Sequence, residues 1–181
     1  MSMAFKCAVF LLLAITCGCA SLSVSDRAQL DRMAEQTVIE LEKKNPGLQQ
    51  HLEALPGYLV VDMKLLKVPV IGGGGGQGVV VDTTSGEHTY VKVTRMEFGG
   101  GWGGRAYKVL LAFKDPELLE SAKSGKWIYQ MGAEASVGKK GVEGSSAALK
   151  QDKGYELYIH SEGGASATYT LRAVRLKPYR N

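Results

Sequence analysis

Two glycine clusters constrain the fold of this 181-residue chain more than any other feature. The first has five consecutive glycines and a sixth two residues later, and the second has five glycines around a tryptophan. The glycines are Gly72, Gly73, Gly74, Gly75, Gly76, Gly78, Gly99, Gly100, Gly101, Gly103 and Gly104. Glycine in a strand costs roughly 0.5 to 1 kcal/mol relative to alanine, so each cluster needs a compensating reason.

Phosphate binding is the first reason to consider. Gly73, Gly75 and Gly78 fit the spacing of a dinucleotide-binding loop, but such a loop must open into a helix whose amino end holds the pyrophosphate. Residues 79–84 read as a strand instead, and residues 77–79 lack the Gly-Lys-Ser/Thr of a P-loop. The clusters therefore predict strand coiling, bulges or close backbone packing, with a flexible linker as the alternative.

Amphipathic and alternating patterns divide the chain into helices and strands. Helices are expected over residues 26–44, 46–55 and 115–125, with Asp115 capping the third and Gly125 ending it. Strands are expected at 58–63, 78–82, 88–95, 106–113, 126–137, 155–161 and 165–176, with turns at 84–87 and 162–164 and a polar loop at 138–152. The predicted fold class is α+β and mostly β: a glycine-rich antiparallel β barrel or sandwich with two N-terminal helices and one inserted helix.

The first 18 residues read as a secretory signal, because Lys6 precedes a short apolar run and small residues follow. The stretch AITCGCAS resembles a bacterial lipobox, which implies an acylated Cys19, a lipidated tether over residues 19–25 and one domain over 26–181. Cleavage by an ordinary signal peptidase after Ala14 or Ala20 is the alternative. By resemblance to Gram-negative lipoproteins, Ala20 beside the anchor implies the periplasmic face of the outer membrane.

The order of the motifs is similar to that of the SYLF-domain family. The matching segments are the glycine-rich turn before GVVV, the second glycine cluster before AYKVLLAF, the tetrapeptide EASV at 134–137 and a closing glycine-rich segment. The resemblance covers roughly residues 36–178. It implies a lipid-binding module and, in the bacterial branch of the family, an exported lipoprotein.

Basic residues on the predicted strands form the candidate lipid-headgroup surface. Lys92, Arg95 and Lys108 are expected to make one positive face if their strands are neighbours, with Arg105 nearby and Trp102 as an interfacial anchor. A solvated sheet face is the plainer interpretation. The first helix has a slightly acidic polar face, so we expect it to pack on the protein's own core. Nucleic acid is not expected as a partner, because the formal net charge of the chain is only +4.

No catalytic motif accompanies these residues. The histidines, His51, His88 and His160, are scattered, and neither a metal nor a cofactor is expected. We therefore expect a non-catalytic, membrane-anchored envelope lipoprotein that binds phospholipid or another envelope component. The alternative is a protein-interaction or structural lipoprotein whose lipid serves only as a tether. A hydrolase with a pocket joining His88 or His160 to a carboxylate is a third hypothesis.

Overall fold

The computed structural model describes residues 21–126, 128–136 and 154–179. In these ranges the chain forms α1 Val24–Glu42, α2 Leu48–Glu53, β1 Gly57–Lys67, β2 Ile71–Asp82, β3 His88–Phe113, α3 Pro116–Lys123, β4 Ile128–Ser136 and β5 Tyr155–Pro178. The strand pairings are antiparallel in the order β1-β2-β3-β5-β4, and β1 also pairs with β3. The prediction of a mostly antiparallel α+β fold with two N-terminal helices and one inserted helix is confirmed. Cys19 and the loop expected at 138–152 lie outside the described residues.

The glycine clusters lie inside strands rather than before them. β2 contains the whole first cluster, and β3 runs without interruption through the second. The predicted hairpin at 162–164 is wrong, because β5 continues through these residues as one strand paired with β3. Glycine keeps both backbone hydrogen-bonding groups, so a ladder continues through it. The turn predicted at 84–87 is confirmed, since the Gly86 N–H donates to the Asp82 carbonyl between β2 and β3.

β3 reverses direction within its own length. Residues 88–98 pair with β2, whereas residues 103–113 pair with β1. Because β1 and β2 form an antiparallel hairpin, the two halves of β3 flank that hairpin and run in opposite directions. β5 follows β3 along both halves. Among the described strands no pairing joins β1 to β4, so the sandwich form of the prediction fits and the barrel is not supported.

One face of the sheet, which we call the inner face, encloses the larger core. Both halves of β3 contribute to it, so the sheet curls around this face. The α3 residues Leu119 and Ala122 also pack there. The cluster comprises Leu59, Val61, Met63, Leu65, Val80, Val91, Val93, Tyr107, Leu111, Phe113, Leu119, Ala122, Tyr155 and Leu176.

α1 and α2 cover part of the opposite face, which we call the helix face. Ala34, Val38, Leu41, Leu48 and Leu52 of the helices pack against Val60, Val79, Leu110 and Ala112 of the sheet. The expectation that α1 packs on the protein's own core is thus confirmed. α1 starts earlier than predicted, because Ser23 and Asp26 form a capping box. No helix within the described ranges is long and apolar enough to cross a membrane.

Candidate functional site

The glycines of β2 have different surroundings on the two faces of the sheet. A Cβ atom on Gly74, Gly76 or Gly78 would lie 2.2 to 2.5 Å from a carbonyl oxygen of β1. These inner-face positions need glycine because the hairpin strands approach too closely for a side chain. On the helix face, a Cβ on Gly73 would meet nothing within 4 Å, and one on Gly75 would meet only the Val93 carbonyl oxygen at 3.4 Å. Bare backbone at Gly73 and Gly75 therefore forms an open strip that packing does not require.

The second glycine cluster coincides with the reversal of β3. Arg95 donates a hydrogen bond to the Tyr107 hydroxyl, and its guanidinium lies 5.7 Å from the centre of the Tyr107 ring. Arg95 and Tyr107 are twelve residues apart in the sequence, and in a straight strand this separation would correspond to about 40 Å. Gly103 has a φ of 141°, which residues with a Cβ rarely adopt. The bend between Gly99 and Gly104 therefore brings the two halves of β3 together.

Arg95 is not on a positive outer face. Arg95 and Glu97 are only 8 % and 0 % exposed on the inner face, where they form an ion pair. The prediction that Lys92, Arg95 and Lys108 share one face is therefore wrong for Arg95, because strand alternation puts residues 92 and 95 on opposite faces. The backbone of Arg105 lies in β3, and its side chain is outside the described part of the structure.

Lys92 and Lys108 belong to one row of cross-strand neighbours on the helix face. Lys92 pairs with Gln77 of β2, Gln77 pairs with Asp62 of β1, and Asp62 pairs with Lys108 in the second half of β3. Lys92 is exposed, whereas Lys108 is partly buried. The two lysines therefore lie at opposite ends of a mixed polar row, with a carboxylate between them.

The alternation that buries Arg95 and Glu97 exposes large apolar side chains between and after them. Met96 is 50 % exposed and Phe98 is 52 % exposed. They belong to a set at the β1–β2 turn and the bend of β3, where Ile71 pairs with Phe98 and Gly73 lies between Leu66 and Met96. We call this set the apolar end: Leu66, Val68, Val70, Ile71, Met96, Phe98 and Trp102. Trp102 is 70 % exposed.

Only Trp102 of the apolar end is expected from the sequence. A signal for Met96 and Phe98 does exist in the sequence TRMEF, residues 94–98. If Val91 and Val93 face the core, alternation must also bury Arg95 and Glu97 and expose the two apolar side chains. Hydrophobicity alone predicts that Met96 and Phe98 are buried and that Arg95 and Glu97 are exposed. The observed arrangement can be predicted only if the strand is assumed to continue into the second glycine cluster.

The amino end of α1 lies beside the apolar end. Asp26 and Gln29 of α1 line a groove on the helix face together with Lys64 of β1, Gly75 of β2 and Lys92 of β3. Lys64 is two residues from Leu66, the first member of the apolar end. The chain segment that leads back to Cys19 therefore starts at the same end of the sheet.

Each histidine joins a helix to the sheet through a carboxylate. The pairs are His88 Nδ1 with Asp31 Oδ1 at 2.9 Å, His160 Nε2 with Glu40 Oε2 at 2.7 Å, and His51 Nε2 with Glu156 Oε2 at 2.9 Å. They link α1 or α2 to β3 or β5 at three separate places. Within the described ranges, no group of three histidine, cysteine or carboxylate residues could hold a metal ion.

Glu156 is the most strongly perturbed of these carboxylates. Partial burial opposes its ionisation, but hydrogen bonds from Lys114, Tyr158 and His51 outweigh that effect and lower the pKa of Glu156 to about 2. Burial and the hydrogen bond to Glu156 raise the pKa of Tyr158 to about 12. Glu156 is therefore an ionised structural anchor between α2, β5 and the end of β3.

No protein-family model matches the chain. The chain is similar to Beta cell expansion factor A of Aeromonas veronii, with 26 % identity over 139 residues. The match covers 76 % of this chain and 51 % of the other protein, so the chain spans about half the length of the relative. An identity of this size indicates a distant relationship.

Proposed function

We propose that this protein is an exported, lipid-anchored and non-catalytic lipoprotein whose domain binds phospholipid bilayers through the apolar end. The observation that carries the proposal is the exposure of seven large apolar side chains in one region. Contiguous exposed apolar patches of this kind mark interaction sites on soluble proteins. Here the exposure accompanies the burial of Arg95 and Glu97 on the same strand, a costly arrangement that packing alone does not favour.

The position of the chain terminus favours a bilayer as the binding partner. Ser23, the N-cap of α1, is four residue steps after Cys19, and an extended segment of this length spans about 14 Å. Each buried methylene of an acyl chain on Cys19 contributes about 0.8 kcal/mol, so two or three chains would hold the protein at the membrane. A tether of this length at the amino end of α1 would keep the apolar end close to the bilayer surface.

The composition of the apolar end also suits a bilayer interface. Trp102 combines a large apolar ring with an N–H donor, and such side chains are enriched where hydrocarbon meets headgroups. Lys64 and Lys92 lie next to the apolar end on the helix face, at the level where headgroup phosphates would be. The lysines and the apolar side chains would thus contact successive layers of one leaflet.

Two further considerations support the proposal. The resemblance to the SYLF-domain family implies lipid binding, and the lipobox with Ala20 after Cys19 implies the periplasmic face of the outer membrane. Each histidine is engaged in a contact that holds a helix on the sheet, which favours a structural role for these residues over a catalytic one.

Vesicle sedimentation with protein lacking residues 1–19 tests the proposal, because this form keeps every described element but has no acyl anchor. We expect the wild type to sediment with phospholipid vesicles and Phe98→Ser to lose most of this binding. Ile39→Ser is the matched control, since Ile39 is also exposed but lies on α1 away from the apolar end. If the wild type binds no vesicles of any composition, the protein-interaction role replaces lipid binding. If Phe98→Ser and Ile39→Ser behave alike, the apolar end is not the binding surface.

A further inference from the structure

The groove beside the apolar end contains a balanced set of charges. It has a volume of about 400 Å³, which lies in the range of small-molecule sites. Its polar lining consists of Asp26 and Gln29 from α1, Asp62 and Lys64 from β1, Gln77 from β2 and Lys92 from β3. Two cations and two anions thus line one small space, which is a poor match for a polyanionic ligand and a good match for a zwitterion.

The cationic side of the groove is available for an anion. Lys64 and Lys92 lie on either side of β2, where Lys64 pairs with Gly75 and Lys92 pairs with Gln77, and both line the groove. Neither lysine forms an ion pair or a side-chain hydrogen bond within the described ranges. A phosphate group placed between them would gain charge-assisted hydrogen bonds from both ammonium groups.

The anionic side of the groove contains an unsatisfied acceptor. The Oδ1 atom of Asp62 is buried and has no hydrogen-bond partner among the described residues. A buried carboxylate oxygen without a partner costs free energy, and a ligand cation with N–H donors that draws the Asp62 carboxylate into the groove would recover that cost. Asp62 lies in the same cross-strand row as Lys92, with Gln77 between them, so its carboxylate is one strand spacing from β2. A ligand with a primary ammonium group close to a phosphate would match Asp62 with its ammonium and Lys92 with its phosphate.

The groove is continuous with the apolar end along β2. Gly75 lines the groove, and the next helix-face position of β2 toward the turn is Gly73, where a Cβ would meet nothing within 4 Å. Gly73 lies between Leu66 and Met96. This strip of bare backbone gives acyl chains a path from the groove to the apolar end.

The geometry points to a headgroup site for an aminophospholipid, with its phosphate between Lys64 and Lys92 and its ammonium on Asp62. The inference rests on the proposed function and names the headgroup class. A zwitterionic headgroup with N–H donors matches the groove, whereas an anionic headgroup without an ammonium would place no cation against Asp62. A trimethylated ammonium carries the same charge but has no N–H to donate.

The test compares vesicles of phosphatidylcholine alone with vesicles that also contain phosphatidylethanolamine or phosphatidylglycerol in equal fractions. The wild-type protein lacking residues 1–19 is expected to bind the phosphatidylethanolamine vesicles most tightly. Asp62→Asn should weaken that binding about tenfold, the size of one charge-assisted hydrogen bond, and leave phosphatidylglycerol binding unchanged or stronger. Glu53→Gln is the control, because it removes an exposed carboxylate outside this groove.

Lysine variants test the phosphate side. Lys64→Gln and Lys92→Gln should weaken binding to both kinds of vesicle, whereas Lys126→Gln, which removes an exposed charge beyond α3, should not. If Asp62→Asn keeps the wild-type preference among vesicles, the headgroup inference is wrong and the apolar end can still bind membranes.

A soluble headgroup separates the two proposals when vesicle binding itself fails. Titration of glycerophosphoethanolamine, followed by chemical-shift changes at Asp62 and Gln77, should show saturable binding that inorganic phosphate at equal concentration does not reproduce. Binding of the soluble headgroup without vesicle binding would contradict the proposed function alone. Equal responses to both compounds, or none to either, would overturn the aminophospholipid site.

Discussion

Arg95 donates a hydrogen bond to the Tyr107 hydroxyl, although the two residues belong to the same strand and are twelve residues apart. The contact is made inside the protein, where Arg95 also pairs with Glu97. It exists because β3 bends through its glycine cluster and returns on the other side of the β1–β2 hairpin. The strand alternation that buries Arg95 and Glu97 also exposes Met96 and Phe98, so the internal ion pair and part of the apolar end have one structural origin.

Removal of the buried cation should destabilise the fold. Arg95→Met removes the guanidinium that pairs with the buried Glu97 carboxylate, and we expect a loss of about 3 kcal/mol in the free energy of unfolding. The double variant Arg95→Met with Glu97→Leu should recover most of this loss, because it replaces both charges with apolar groups. Chemical denaturation measures both values. A loss below about 1 kcal/mol for the single variant would show that the pair contributes little.

Alanine substitutions on the two faces of β2 should have different effects on the stability of the fold. A Cβ on Gly74 would lie 2.5 Å from the Lys64 carbonyl oxygen, so Gly74→Ala should cost about 1 to 3 kcal/mol through overpacking. Gly73→Ala meets nothing within 4 Å and should stabilise the strand by roughly 0.5 to 1 kcal/mol. Thermal unfolding of the two variants provides the comparison. Equal effects would mean that β1 and β2 do not approach as closely as the structure indicates.

Acid should weaken the contact between α2 and the sheet through Glu156. The pKa of Glu156 is lowered from 4.5 to about 2, so its contribution to stability is complete above about pH 4.5 and is lost as the pH falls through 2. Glu156→Gln should therefore flatten the dependence of unfolding free energy on pH in this window. Tyr158→Phe removes one of the hydrogen-bond donors and should give an intermediate slope. Identical slopes for Glu156→Gln and the wild type would contradict the assignment.

The helices follow from local chemistry and were predictable. The inserted helix is an example, because Asp115 caps its first turn, Pro116 occupies its first position and Gly125 ends it with a φ of 72°. The strands were predictable as a class but not in number. Glycine has low strand propensity, so Gly72 to Gly78 and Gly99 to Gly104 read as interruptions. Their pairing with β1, β3 and β5 is a tertiary effect that local propensity does not contain.

The candidate site was predictable only in part for the same reason. Trp102 is exposed, and Lys92 lies on the helix face, but Arg95 is buried against Glu97. Successive residues of a strand face opposite sides of the sheet. The face of each residue can therefore be assigned only when the strand is known to continue from Val91 past Phe98. The role proposed for Asp62 has no signal in the sequence, because it depends on Lys92 and Gln77, which only strand pairing brings beside it.

The fluorescence of Trp102 in the presence of vesicles tests the membrane-binding surface most directly. Trp127→Phe leaves Trp102 as the single tryptophan, and its 70 % exposure gives it a water-like emission in the free protein. If the apolar end enters the bilayer, phospholipid vesicles will shift the emission to shorter wavelength, and lipids with brominated acyl chains will quench it. An unshifted emission that brominated lipids do not quench, at lipid concentrations where the protein sediments with vesicles, would contradict insertion of the apolar end.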